Sequence, residues 1–262
     1  MYEELSAPLQ DKGTYLQRMR YNGPPEVSAA ALSALVFAHQ KAVPFENYDI
    51  CELNQPISLE IPHLYEKVAV QRRGGYCFEL NASFAALLAA LGFTVTPHLA
   101  MIHRGNEQPS PPLHRINLVA IGDKQYFTDV GFGGAMPAGA VRLEEGPPQD
   151  VQGSKYHFEK RQNERWVLFR ETSEKTIEPM ISFSAYPSDP VDFIAPNYYT
   201  STHPSSLFVR NRMANIRFDD GFASIGNGVF HLVRGGSDTT TEISTKAQEY
   251  ALLEEYFGIK LG

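Results

Sequence analysis

Apolar and polar positions follow two different periods along this chain, and the change falls at Gly92. From Cys77 to Leu91 the apolar residues Phe78, Leu80, Phe84, Leu87, Leu88 and Leu91 recur at three and four, which predicts a helix that Gly92 stops. Upstream, Tyr15 to Met19 begins a short amphipathic pattern that Tyr21-Asn22-Gly23-Pro24-Pro25 breaks. Ser28 can cap an Ala/Leu-rich helix running to about His39, Pro44 interrupts, and Ile61 to Val70 suits a further helix. After Gly92 the runs Thr94 to Ile102, Arg115 to Ile121 and Gln125 to Val130 are β-branched or alternating, with Gly122-Asp123-Lys124 as a hairpin turn. Tyr156 to Lys160 and Arg165 to Glu171 pair across Arg161 to Glu164. The middle of the chain is therefore an antiparallel barrel or sandwich.

From about Pro187 the pattern is mixed. Asp189-Pro190 opens a short helix that Pro196 should interrupt, and Phe208 to Phe218 and Gly228 to Arg234 read as strands with Asp219-Asp220-Gly221 as the turn. Thr245 and Gln248 form a capping box for a last helix, Lys246 to Phe257, stopped by Gly258. Helices, then strands, then a mixed segment predict an α+β fold rather than alternating βαβ units. No solenoid-length repeat appears, and the polar stretch Arg104 to Pro112 reads as a loop.

Composition narrows the partners. At 43% hydrophobic and 20% charged, the 262 residues can bury a substantial core. A net charge of −7 without a Lys/Arg run argues against nucleic acid, though not against an anionic small molecule held by backbone amides and a few local cations. The polar N-terminus lacks a signal-peptide pattern, and the apolar stretches Ala29 to Ala38 and Ala85 to Phe93 are too short to span a membrane. A cytoplasmic protein without a membrane partner is expected; the pattern carries no signal for an oligomeric state. Metal spacings such as Cys-x-x-Cys and His-Glu-x-x-His are missing, so no metal is expected.

Two cysteines, Cys51 and Cys77, are too few for a disulfide scaffold. Cys77 follows Arg72-Arg73-Gly74-Gly75-Tyr76 and opens the clearest helix, where the helix dipole and nearby cations favour a thiolate. A buried structural cysteine fits the same position, and Cys51 reads as structural. A thiolate nucleophile needs an imidazole and a group to orient it. His114 at one strand start and Asp129 at the end of the next strand are sterically suited, while His98, His103 and His203 compete on pattern alone. Gly131-Phe132-Gly133-Gly134 can cradle a phosphate or simply turn, and Phe45 can line an aromatic pocket or a core.

Taken together, five stretches resemble the arylamine N-acetyltransferase family. They are Val43-Pro44-Phe45-Glu46-Asn47, Arg73-Gly74-Gly75-Tyr76-Cys77-Phe78-Glu79-Leu80-Asn81, His114 with Asp129-Val130-Gly131-Phe132-Gly133-Gly134, Ser201-Thr202-His203-Pro204-Ser205-Ser206, and Glu255-Tyr256-Phe257-Gly258-Ile259. The resemblance implies three parts: a helical bundle over 1–90 bearing the cysteine, a β-barrel over 91–188 bearing His and Asp, and an α/β lid over 189–262. It implies a Cys77–His114–Asp129 triad of papain and transglutaminase type, with acetyl-CoA as co-substrate. Phe45, Phe132 and Phe208 would line the arylamine pocket, Gly133 and Gly134 would lie near the pantetheine and pyrophosphate of CoA, and Glu46 with Arg73 would form a buried structural ion pair. The implied reactions are ping-pong N-acetylation of arylamines and arylhydrazines and O-acetylation of N-hydroxyarylamines. Rival readings are a cysteine hydrolase, an amide synthase taking another acyl donor, and a non-catalytic binding module. Tyr76 departs from the tryptophan of some members.

Overall fold

In a computed structural model, the protein is described over residues 2–23, 26–103, 105–106, 108–134 and 136–261. Pro24 and Pro25 of the expected break, and Arg104 and Glu107 of the polar loop, lie outside the described residues. Helix α1 (Lys12–Arg18) starts where the Asp11 carboxylate accepts from the Gly13 and Thr14 amides. Helix α2 (Ala29–Ala42) is capped by Ser28, whose hydroxyl accepts from the Ala31 amide. It ends at Val43 because Pro44 pushes the preceding residue into the extended region, where Val43 lies at φ −113°, ψ 109°. Strand β1 (Phe45–Glu46) and helices α3 (Tyr48–Cys51) and α4 (Ile61–Tyr65) follow, and α4 runs on into a π turn, Glu66–Val70. Helix α5 (Cys77–Ala90) buries Phe78, Leu80, Phe84, Leu87 and Leu88 on several faces, as a central helix must.

Eight antiparallel strands come next: β2 (Thr94–Ile102), β3 (His114–Ile121), β4 (Lys124–Thr128), β5 (Val141–Arg142), β6 (Gln149–Val151), β7 (Ser154–Arg161), β8 (Arg165–Glu171) and β9 (Ile177–Ser184). Their order is β5-β4-β3-β2-β9-β8-β7-β6. The edges meet where the Gln149 amide donates to the Arg142 carbonyl at 2.7 Å and accepts from its N–H at 2.8 Å. One side chain thus stands in for a missing ladder, and the sheet is a nearly closed barrel. Ile116, Leu118, Phe127, Phe158 and Phe183 fill it. On the other face of β3, Val119 joins the helical core and Asn117 donates to the Asn81 carbonyl at 2.8 Å, so β3 lies directly on α5.

The third part opens with a 3-10 turn, Pro190–Phe193, then α6 (Ile194–Thr202) and α7 (Leu207–Arg210). Strands β10 (Met213–Phe218), β11 (Gly221–Gly226), β12 (Val229–Arg234) and β13 (Ser237–Glu242) form an antiparallel sheet whose other edge is β1. Helix α8 (Lys246–Leu252) continues as a π turn, Leu253–Phe257. Gly258 at φ +67° ends it, with the Ile259 amide donating to the Leu253 carbonyl at 3.0 Å.

Three expectations are corrected. Pro196 does not interrupt α6: it sits in the first turn, where no intrahelical donor is required of it. Phe208 to Arg210 is helical rather than strand, because the Ser206 hydroxyl caps the Phe208 amide at 3.2 Å. At Thr245 only half of the capping box forms: Thr245 accepts from the Gln248 amide, while the Gln248 side chain accepts from Ser244. No helix among the described residues is long and apolar enough to cross a membrane.

Candidate active site

Helix α5 begins at Cys77 because the chain before it is pinned on both sides. The Glu46 amide donates to the Gly75 carbonyl at 2.8 Å, drawing the Gly74-Gly75 segment against β1. A Cβ on Gly74 would stand 2.1 Å from the Pro44 carbonyl oxygen, so the approach requires glycine. Arg73 donates to Glu46 and to Asp49, each at 2.7 Å, and Lys67 bridges Asp49 and Glu79, each at 2.6 Å. Burial alone would lower the Lys67 pKa, but the carboxylates around it hold it up. Burial raises the Glu79 carboxyl although Lys67 pulls it down, and this side chain accepts from the Tyr76 amide at 3.1 Å. A buried charge cluster therefore fixes the first turn.

From the barrel side, β3 delivers His114 at its first residue and β4 delivers Asp129 just past its last. His114 Nε2 and Asp129 Oδ2 lie 2.6 Å apart, both buried. Asp129 Oδ1 accepts from Asn81 Nδ2 and from the Gly131 amide, each at 2.8 Å. Asn81, four residues after Cys77 in α5, also donates to the Arg115 carbonyl at 2.6 Å and accepts from the Val130 amide at 3.0 Å. One amide side chain thus ties the helix to both strand ends. Gly131 lets the Asp129 loop lie on α5, since a Cβ there would sit 2.8 Å from the Cys77 Cα. The sequence motifs give Asn81 no role and offer Gly131 only as part of a phosphate cradle or turn; the register of α5 against β3 and β4 reveals what both do.

Cys77 is buried, with Sγ 3.9 Å from the Leu113 carbonyl oxygen and in hydrogen-bond contact with the His114 ring. Burial disfavours the imidazolium, but the Asp129 carboxylate and the Cys77 sulfur outweigh it and raise the His114 pKa to about 10. The arrangement places the Cys77 sulfur beside an oriented imidazole. The competing histidines are engaged elsewhere: His98 with the Ser184 carbonyl, His103 with Ser182, and His203 with Ser205. The Cys51 thiol donates to the Asn47 side-chain oxygen at 3.7 Å, and burial pushes it up to about 12.

Phe132 meets the His114 ring edge-on with centroids 5.8 Å apart. Phe45 backs onto Gly133, whose φ of +74° is a conformation side chains resist, and a Cβ there would strike the Phe45 ring at 2.6 Å. Phe45, Phe132, Gly133 and Gly134 line a cavity of about 30 Å³ beside Asp129. Phe208 does not line it; its ring packs against Phe45 and Tyr76 at 6.1 and 5.6 Å. Outward, Gly134, Asn215 and Arg217 are shared with a cavity of about 350 Å³. Arg217 also lines a basin of about 530 Å³ with Arg18, Arg20, Lys41, Arg72 and Arg234. Among the described residues no group of three His, Cys, Asp or Glu side chains could hold a metal ion.

Comparison with known proteins places this architecture. Residues 28–262 match the family model described as N-acetyltransferase. The chain is 31% identical over 258 residues to the arylamine N-acetyltransferase of Mycolicibacterium smegmatis, covering 96% of this chain and 93% of that protein. It is 32% identical over 244 residues to the arylamine N-acetyltransferase / N-hydroxyarylamine O-acetyltransferase of Salmonella typhimurium, covering 90% and 84%. The structure of the Mycobacterium marinum arylamine N-acetyltransferase in complex with CoA superposes with a TM-score of 0.86 at 29% identity, covering 95% and 93%. The chain belongs to the arylamine N-acetyltransferase family, a family of acyltransferases.

Proposed function

We propose that the protein transfers acetyl groups from acetyl-CoA to arylamines, arylhydrazines and N-hydroxyarylamines through an acetyl-cysteine intermediate on Cys77. The observation that carries this reading is His114 held at 2.6 Å by Asp129 with its other nitrogen free for the Cys77 sulfur. The Cys77 thiolate attacks the thioester carbonyl, and first-turn amides of α5 face the oxyanion. The C–S bond to CoA breaks, and the leaving thiolate takes the His114 proton. The amine then attacks acetyl-Cys77, neutral His114 takes a proton from its nitrogen, and the Cys77 thiolate leaves.

Phe45 and Phe132 would receive the aromatic ring, with Phe208 supporting Phe45 from behind. Gly133 and Gly134 would lie along the pantetheine and pyrophosphate of CoA, and Arg217 lines both their cavity and the basic basin. The limits 1–90, 91–188 and 189–262 remain our division of the chain; α5 ends at Ala90, and β9 and the 3-10 turn end and start at Ser184 and Pro190. Brief exposure to acetyl-CoA without amine should leave one acetyl group, on Cys77, by peptide mass spectrometry. An acetyl group found only on Cys51 or a lysine would sink the proposal.

A further inference from the structure

Helix α5 carries a stripe of alanines, Ala82, Ala85, Ala86 and Ala89; Ala82 is packed against Ile61 and Leu64, and the others border space that the N-terminal segment and β2 leave open. The result is a groove of about 390 Å³, walled by residues such as Leu9, Ile61 and Pro97. Arg115, which is 6% exposed, also lines it. Among the described residues its guanidinium makes no ion pair: Nε is buried without a hydrogen-bond partner, the terminal nitrogens find no protein acceptor, and the plane lies over the Phe193 ring at 4.5 Å. No carboxylate lines the groove. Arg18 shows how unusual this is: equally buried, it donates to the carbonyls of Val68 and Arg72. A buried Nε–H without an acceptor is costly, and the terminal nitrogens keep donors free for an anion.

We propose that this groove binds an apolar monocarboxylate, with its chain along the alanine stripe and its carboxylate on Arg115. The seven steps from Ala82 to Ala89 rise about 10 Å, which suits an extended chain of roughly seven to nine carbons. The anion would engage the fork of donors that Arg115 presents, and the chain would cover the partly exposed methyl groups of Ala85, Ala86 and Ala89. Burial lowers the Arg115 pKa to about 9, and the nearby Cys77 sulfur opposes that shift. An occupant would therefore act on the thiol through charge rather than contact.

The test is calorimetric titration of octanoate, 1-octanol and acetate into enzyme carbamidomethylated at Cys77, so that the catalytic cavity is blocked. Octanoate should bind at one site, and octanol and acetate roughly tenfold more weakly or less. Arg115→Gln should weaken octanoate at least about tenfold. Because loss of a buried arginine can disturb folding, Ala86→Leu fills the groove while leaving Arg115 in place, and it should weaken octanoate equally. Absence of octanoate binding, equal binding of octanol, or undiminished octanoate affinity in a folded Ala86→Leu variant would each overturn the proposal.

Discussion

Two buried polar clusters share the first turns of α5 and differ in how completely they are paired. In the first, Glu46, Asp49 and Glu79 surround Lys67 and Arg73 with contacts of 2.6 to 2.7 Å. Every side chain there meets an opposite charge. In the second, both Asp129 oxygens and one His114 nitrogen are engaged, but the chain of contacts ends at a sulfur whose remaining neighbour is a carbonyl 3.9 Å away. Saturated pairing holds backbone in place. Pairing that stops one group short leaves an oriented atom with bonding capacity unused, and that is where chemistry is expected.

The widest separation between the clusters should appear on removing their central groups. Cys77→Ala should lower acetyl transfer by about 10⁴-fold or more while thermal unfolding stays near wild type; Cys51→Ala should keep most activity. Lys67→Met should do the reverse, destabilising by about 3–5 kcal/mol because Glu79 loses its opposite charge while buried and Asp49 is left with Arg73, while the folded fraction still acetylates Cys77. Urea melts with single-turnover acetylation would check both. A stable, inactive Lys67→Met enzyme would show that the saturated cluster is part of the chemistry.

His114 offers a pH handle on the second cluster. With the imidazolium persisting to a pKa of about 10, iodoacetamide should alkylate Cys77 rapidly below pH 7, and His114→Ala should revert to an ordinary thiol profile near pH 8.5. The folded pKa lies above the free imidazole value of about 6.5. The stabilising contribution of the pair is therefore complete below that pH and is lost as pH rises toward 10. The stability gap between wild type and His114→Ala should shrink over the same interval. A wild-type alkylation profile that simply follows a thiol of pKa 8.5 would break the model.

Asn81 tests whether the partly paired cluster needs an outside brace. Asn81→Ala removes one of the two amides that hold Asp129 Oδ1, together with the tie to Val130 and Arg115. A misplacement of about an ångström should lower turnover on the order of 10²-fold. The alkylation profile of Cys77 should move toward that of His114→Ala, which a purely structural role would leave unchanged.

Much of this was legible in the sequence, and the reasons are local. The apolar period of α5 and the glycines before Cys77 are strong local signals, and His114 and Asp129 stand at the two ends where a short hairpin must bring them together. The missed elements lack such signals. Strand β13, Ser-Asp-Thr-Thr-Thr-Glu, is exposed along its whole length and carries no alternation. Strand β9 holds Pro179 opposite Phe169, where its register with β8 shifts, and β11 is bounded by Gly221 and Gly226. Asn81 and Arg115 stayed invisible for another reason: their roles depend on which face of β3 meets α5, a fact of tertiary packing. Phe208 was assigned to the amine pocket, yet its place behind Phe45 depends on the helical turn that Ser206 caps.

The smallest expected effect concerns Phe132, which touches both the aromatic cavity and the triad. Burying an arylamine ring against Phe45 and Phe132 should contribute roughly 1–3 kcal/mol, so Phe132→Ala should lower amine specificity on the order of ten- to a hundredfold. The acetyl group is small and does not need the ring, so acetylation of Cys77 should be affected less. The edge contact at 5.8 Å complicates this, because Phe132 also limits how far the His114 ring can turn. Phe132→Leu separates the two roles: it keeps apolar bulk against the imidazole but removes the aromatic face offered to the amine. If the cavity is the amine site, Phe132→Leu should acetylate Cys77 at nearly the wild-type rate and still transfer poorly to an arylamine. If Phe132 acts only as packing for His114, Phe132→Leu should recover both half-reactions together. Single-turnover rates for each half, measured on both variants, decide between these outcomes, and recovery of both in Phe132→Leu would remove Phe132 from the amine pocket.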